Sequence, residues 1–147
     1  MKSILNTIFC GIIAAAFTGA AIAETYAVVV NAKNSFSGSG KDFFLLKTGS
    51  DKWPGGGGVA AFDLDPGADL SLTIVRAQFY KQFLGMTGSE YNSYWIQEKS
   101  KGRTKKPVSV ASFKQMAKNV SREAGGIGFV PESLATGLKV LTKFEVK

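Results

Sequence analysis

Ser71, Thr73 and Arg76 place two hydroxyls and a guanidinium close together at the start of a segment with helical periodicity. That combination can hold an oxyanion. The first N–H groups of a helix lack intrahelical partners and carry the positive end of its dipole, hydroxyls add donors, and an arginine fork supplies balancing charge. The same residues admit a structural reading, in which Ser71 or Thr73 caps the helix and Arg76 pairs with Asp63 or Asp65.

Composition narrows the other chemistries. The chain of 147 residues has no histidine and one cysteine, Cys10. Without histidine, and with Cys10 in a leader segment, Ser-His and Cys-His nucleophile systems and the common zinc sites are excluded. Asp63, Asp65 and Asp69 keep carboxylate chemistry formally open, and alternate spacing puts Asp63 and Asp65 on one side of a strand end. Carboxylates at such an exit commonly accept turn N–H bonds or face solvent, and the neighbouring loop lacks the EF-hand ligand pattern. The four glycines Gly55 to Gly58 resemble a phosphate cradle in composition alone. A Walker loop needs a following Lys-Ser or Lys-Thr on a helix, and here the chain runs into Val59-Ala60-Ala61-Phe62, so a turn is expected. The expectation is a binding protein with no catalytic residues, no cofactor and no metal.

Met1 to Ala23 reads as a secretory signal. Lys2 supplies the positive start, Ile4 to Ala21 is mostly apolar or small, and Ala21-Ile22-Ala23 fits small-x-small cleavage. A transmembrane helix is disfavoured by Asn6, Thr7, Thr18 and two glycines, and a lipidated Cys10 by the large Phe9 before it. Cleavage leaves a chain from Glu24, bound for the periplasm, with no cysteine and no stable membrane span. Its stability must come from a core, and residues 24–147 suffice for one compact domain.

The net charge of +7 falls to +6 once Lys2 is removed, a balance that favours contact with anions. Much of it lies in Lys99, Lys101, Arg103, Lys105 and Lys106, a run that holds Gly102 and ends at Pro107. Such a run suits nucleic acid or an anionic surface. No aromatic residue is interleaved with the charges, however, and an exported protein seldom meets nucleic acid, so a solvated loop is expected.

The elements that must position these residues follow from periodicity. Tyr26 to Val30 predicts a buried first strand, and Asp42 to Lys47 a helical turn or two. Leu72, Val75, Phe79 and Phe83 share one helix face, with Asp69 or Ser71 as N-cap and Gly85 as stop. Thr87 with Glu90 has capping-box spacing and predicts a helix to about Lys99, whose Tyr91, Tyr94 and Trp95 are expected in the core. Ser112 with Gln115 opens a third helix, with Phe113, Met116, Ala117 and Val120 as its apolar stripe and Gly125 as stop. Gly126 to Val130 reads as a buried strand, Glu132 to Ala135 as a turn or short helix, and Leu138 to Phe144 as a last strand in which Leu138, Val140, Thr142 and Phe144 alternate with the rest. The order argues for an α/β sandwich around one mixed sheet flanked by helices.

In this order the chain resembles the small exported proteins related to the phosphate-binding protein of phosphate ABC transporters, a branch of the type 2 periplasmic binding proteins. The residues that carry the resemblance are Val28-Val29-Val30-Asn31, Trp53-Pro54-Gly55-Gly56, Arg76-Ala77-Gln78-Phe79, Tyr94-Trp95, Gly102, Pro107, Ser112 and Gly126-Ile127-Gly128-Phe129-Val130. The resemblance implies one lobe of a fold that closes with two in the full-length proteins. It also implies phosphate or a related oxyanion at the helix start, where full-length relatives carry Ser-Gly-Thr directly before the matching arginine. The corresponding positions here are Thr73, Ile74 and Val75, so one hydroxyl is kept and two places are apolar and β-branched. That departure keeps a second function in view: a ligand-free module that docks an envelope transporter, porin or sensor.

Overall fold

The chain enters the fold through strand β1 (Glu24–Val30), in which Ala27 to Val30 are fully buried. A strand buried on both faces belongs inside a sheet. β1 lies between β4 (Gly126–Pro131) and β5 (Lys139–Val146), antiparallel to both. β2 (Ala60–Leu64) runs parallel to β4 on one side and to β3 (Val108–Val110) on the other. The result is a five-stranded mixed sheet in the order β3-β2-β4-β1-β5, the α/β architecture expected from sequence. This computed structural model describes residues 22–147; the signal expected over Met1 to Ala23 lies, apart from its last two residues, outside them.

Helices α1 (Lys41–Phe44), α2 (Leu70–Phe79), α3 (Gly88–Ser100) and α4 (Phe113–Arg122) flank the sheet. Asp69 caps α2 by accepting from the N–H groups of Ser71 and Leu72. Phe79 then stacks on Phe129 of β4, ring centroids 3.8 Å apart. The helix does not stop there. It widens into a π-helical turn, Tyr80–Leu84, closed by Gly85 at φ 68°. The wide turn breaks the expected stripe, so Tyr80 and Leu84 are buried beside Phe79 while Phe83 is only half-buried. α3 opens on the expected capping box, with Thr87 and Glu90 each accepting from the other's backbone.

Two close approaches fix the sheet to its surroundings. A Cβ on Gly125 would stand 1.8 Å from the Gly58 carbonyl oxygen, and one on Gly128 would stand 2.9 Å from Met116 of α4. The Trp53-Pro54-Gly55-Gly56 turn belongs to this scaffold. Trp53 donates from its indole to the Gly125 carbonyl at 3.0 Å and stacks on Phe43 at 4.4 Å.

Two elements differ from the sequence expectation. β3 was not expected; its three residues are too few to show alternation, and its edge position leaves Val108 exposed. In β5 the pairing with β1 slips between Val28 and Val29, so Thr142 faces Val28 and Val140 faces Val29 with Leu141 between. The bulge changes the phase: Leu141 packs on the core and Val140 is exposed, while Phe144 stays buried. No helix among the described residues is long and apolar enough to cross a membrane.

Candidate anion-binding cleft

Asp63 is a charged residue on an interior strand of the sheet, and β2 carries it to 2% exposure. A carboxylate so placed needs partners. Its Oδ2 accepts from Arg76 Nη2 at 3.1 Å and from the Tyr80 hydroxyl at 2.5 Å, and its Oδ1 accepts from the Leu64 N–H at 2.7 Å and, at 3.5 Å, from Arg76 Nε. The two side-chain donors, Arg76 and Tyr80, come from the stretch where α2 passes into the π-helical turn. Arg76 lies over the Tyr80 ring, 5.1 Å from its centroid, and Tyr80 stacks on Tyr91 of α3 at 4.1 Å.

The electrostatics follow from this packing. Burial, and then the Asp63 charge, push the hydroxyls of Tyr80 and Tyr91 well above the usual tyrosine range. For Arg76 burial opposes the charged form, but the hydrogen bond and charge of Asp63 more than offset it and leave the guanidinium raised. Arg76 is therefore a fixed cation. Asp63 takes Nε and Nη2, so Nη1 has no acceptor among the described residues.

Beside this pair opens a cleft of about 630 Å³. One face of α3 lines it with Tyr91, Asn92, Trp95, Ile96 and Lys99, and the following segment adds Arg103, Lys106 and Pro107. Glu98, buried at the end of α3, shapes that segment. It accepts from Arg103 Nη1 at 2.6 Å and from Lys101 Nζ at 3.1 Å, while the Arg103 N–H donates to its backbone carbonyl at 3.0 Å. These bonds, from Lys101 first and then Arg103, hold the Glu98 carboxyl below the usual range. Gly102, at φ 82°, makes the turn between them.

Four cations thus meet at one cleft: Arg76, Lys99, Arg103 and Lys106. Asp63 matches Arg76 and Glu98 matches Arg103. Lys99 and Lys106 have no carboxylate partner among the described residues, so the lining keeps an excess of positive charge. The indole N–H of Trp95 is buried beside the cleft and finds no acceptor among the described residues.

The residues read from sequence as an oxyanion site are not all brought together. Ser71 and Thr73 stand on the exposed first turn of α2; the Ser71 hydroxyl donates to Asp69 Oδ1 at 2.7 Å and that of Thr73 to the Asp69 carbonyl at 3.0 Å. The Ser71 bond, and then the Leu72 N–H, hold the Asp69 carboxyl low, so a carboxylate already occupies that helix start. Arg76 lies at the cleft. Asp63 and Asp65 also part company, because the chain leaves the sheet after Leu64 and Asp65 is an exposed turn residue accepting from the Gly67 N–H at 3.2 Å.

Tyr91 and Trp95 do join the core packing, as their spacing predicts, while of the basic run expected as a solvated loop Lys99, Arg103 and Lys106 line the cleft. The bracket of Glu98, Gly102 and Pro107 around the basic run was the available signal that the loop folds back.

The chain matches no protein-family model. No curated protein matches it either. In three dimensions it is similar to the crystal structure of an ABC-type phosphate transport receptor from Vibrio cholerae, at 16% sequence identity and a TM-score of 0.47, over 82% of this chain and 46% of that one. The chain spans a little under half of that receptor's length.

Proposed function

We propose that the chain is a non-catalytic binding protein that holds an oxyanion, inorganic phosphate or a close relative, in the cleft beside Arg76. The observation that supports this reading is the excess of cations there: Lys99 and Lys106 stand unpaired among the described residues next to two arginines already fixed by Asp63 and Glu98. An oxyanion leaving water needs several donors and a countercharge, and arginines whose geometry is set beforehand supply them with little reorganisation. Of the residues read from sequence, Arg76 enters this reading. Ser71 and Thr73 do not line the cleft. The compartment proposed is the periplasm, on the strength of the secretory-type segment Met1 to Ala23.

Titration calorimetry with inorganic phosphate and sulfate at millimolar concentration and low ionic strength tests the proposal. Saturable heat that weakens with added salt and with Lys106→Gln is the expected result. Absence of heat with every oxyanion would sink it.

A further inference from the structure

We infer that the ligand this cleft is built for is an organic oxyanion with an apolar body, such as an aryl or alkyl phosphomonoester, and not a bare inorganic ion; the inference rests on the anion-binding reading above. Size is the first ground. A cleft of about 630 Å³ lies within the range of roughly 300 to 1,000 Å³ typical of sites for small organic ligands, and a bare tetrahedral ion fills a small part of it.

The lining is the second ground. The cations share the cleft with Tyr91, Trp95, Ile96 and Pro107, so it has an apolar wall as well as a charged one. Ile96 lines the cleft yet is 71% exposed, so most of its apolar surface is open to a ligand held there. It precedes Lys99 by one helical turn, which puts the two on the same face of α3. A ligand whose anionic group engages Lys99, Lys106 and Arg76 therefore has Ile96 and Trp95 beside it. An inorganic ion leaves that apolar surface in water, whereas an aryl or alkyl group covers it. Two lysines and an arginine together suit a doubly charged head such as a phosphomonoester.

The test compares inorganic phosphate, phenyl phosphate and phenol by titration calorimetry at one ionic strength, on the unaltered protein and on Ile96→Ser, an exposed position whose change spares the core. Phenyl phosphate is expected to bind at least about tenfold tighter than inorganic phosphate, with phenol alone not binding measurably. Ile96→Ser is expected to remove most of that advantage, drawing the affinities for the two phosphates together. Equal affinities for the two phosphates, or a preference that Ile96→Ser does not reduce, overturn the inference and leave the anion-binding reading standing. Failure of both phosphates to bind overturns the two together.

Discussion

Arg76 Nη2 stands 3.1 Å from Oδ2 of Asp63, a carboxylate that is 2% exposed and that also accepts from the Tyr80 hydroxyl. The pair is asymmetric, since the arginine reaches solvent at the cleft and the aspartate does not. Removing the arginine leaves a buried charge with one strong partner fewer. Breaking a fully buried pair from one side costs about 3 to 5 kcal/mol, and the partial exposure of Arg76 lowers the expectation to about 2 to 3 kcal/mol for Arg76→Ala. Adding Asp63→Asn removes the stranded charge and should recover part of the loss in urea unfolding. A double variant as unstable as the single one, or more so, would refute this account of the pair.

The tyrosines predict the alkaline limit of the fold. All four, Tyr26, Tyr80, Tyr91 and Tyr94, are shifted upward from the ordinary value of 10.0, burial being the largest cause in each. A group whose pKa is raised by folding holds its proton in the native state and gives it up on unfolding. Its contribution is complete below the unfolded value and is lost as pH rises beyond it. Stability should therefore fall above about pH 10, and tyrosinate absorbance should appear together with loss of the circular dichroism signal. Ionisation of the tyrosines in a protein that stays folded near pH 10 would contradict the burial described here.

Glu98 sets the opposite limit. Its carboxyl is held below the ordinary 4.5 by Lys101 and then Arg103, so its contribution is complete above that value and is lost as pH falls through the lowered one. The consequence extends to the cleft, because the same carboxylate positions Arg103. Glu98→Gln should flatten the acid decline in stability and weaken anion binding even at neutral pH, where the folded protein is otherwise intact. An acid limb unchanged in Glu98→Gln would place the titrating group elsewhere.

Gly125 gives a steric prediction. A Cβ there would meet the Gly58 carbonyl oxygen at 1.8 Å, and the obstacle is backbone that cannot rotate away. Gly125→Ala must push apart the chain entering β2 and the chain entering β4, where Ala60 N–H donates to the Gly125 carbonyl at 2.9 Å. Overpacking typically costs about 1 to 3 kcal/mol, and this case belongs at the upper end. Gly56→Ala is a control for crowding, since a Cβ there meets nothing within 4 Å although its φ of 93° is strained. A loss at Gly125 no larger than that at Gly56 would mean that the backbone yields at the close approach and that the contact does not govern Gly125.

Most of the fold was legible because its signals are local. Thr87 and Glu90 announce α3, Ser112 announces α4, and unbroken apolar runs announce β1 and β4, since a central strand has no solvent face to alternate with. The bulge at Leu141 was not legible, because it depends on pairing with β1 and not on β5 itself. The cleft was hidden for the same reason. Arg76 was singled out for its place near a helix start, with Asp63 or Asp65 as its alternative partner, and it does pair with Asp63; that the pair then lines a cleft with α3 depends on contacts between elements that no spacing encodes. Lys99 and Lys106 read as solvated because charge runs usually are; only the fold-back held by Glu98 brings them to the site.

The two unpaired lysines allow the site to be separated from the general field of a basic protein. Lys105 stands between Arg103 and Lys106 in sequence, yet it does not line the cleft. A net charge of +7 attracts anions in a diffuse way, and any lysine contributes to that attraction about equally. A built site weights them unequally. Lys99→Gln and Lys106→Gln should each weaken phosphate binding by about two- to fivefold at low salt, the scale of one partly exposed ion pair, and Lys105→Gln should leave it nearly unchanged. The charge removed is the same in all three variants, so the comparison isolates position. Equal effects at Lys105 and Lys106, each vanishing at physiological ionic strength, would show that the attraction is diffuse and that the cleft does not hold the anion.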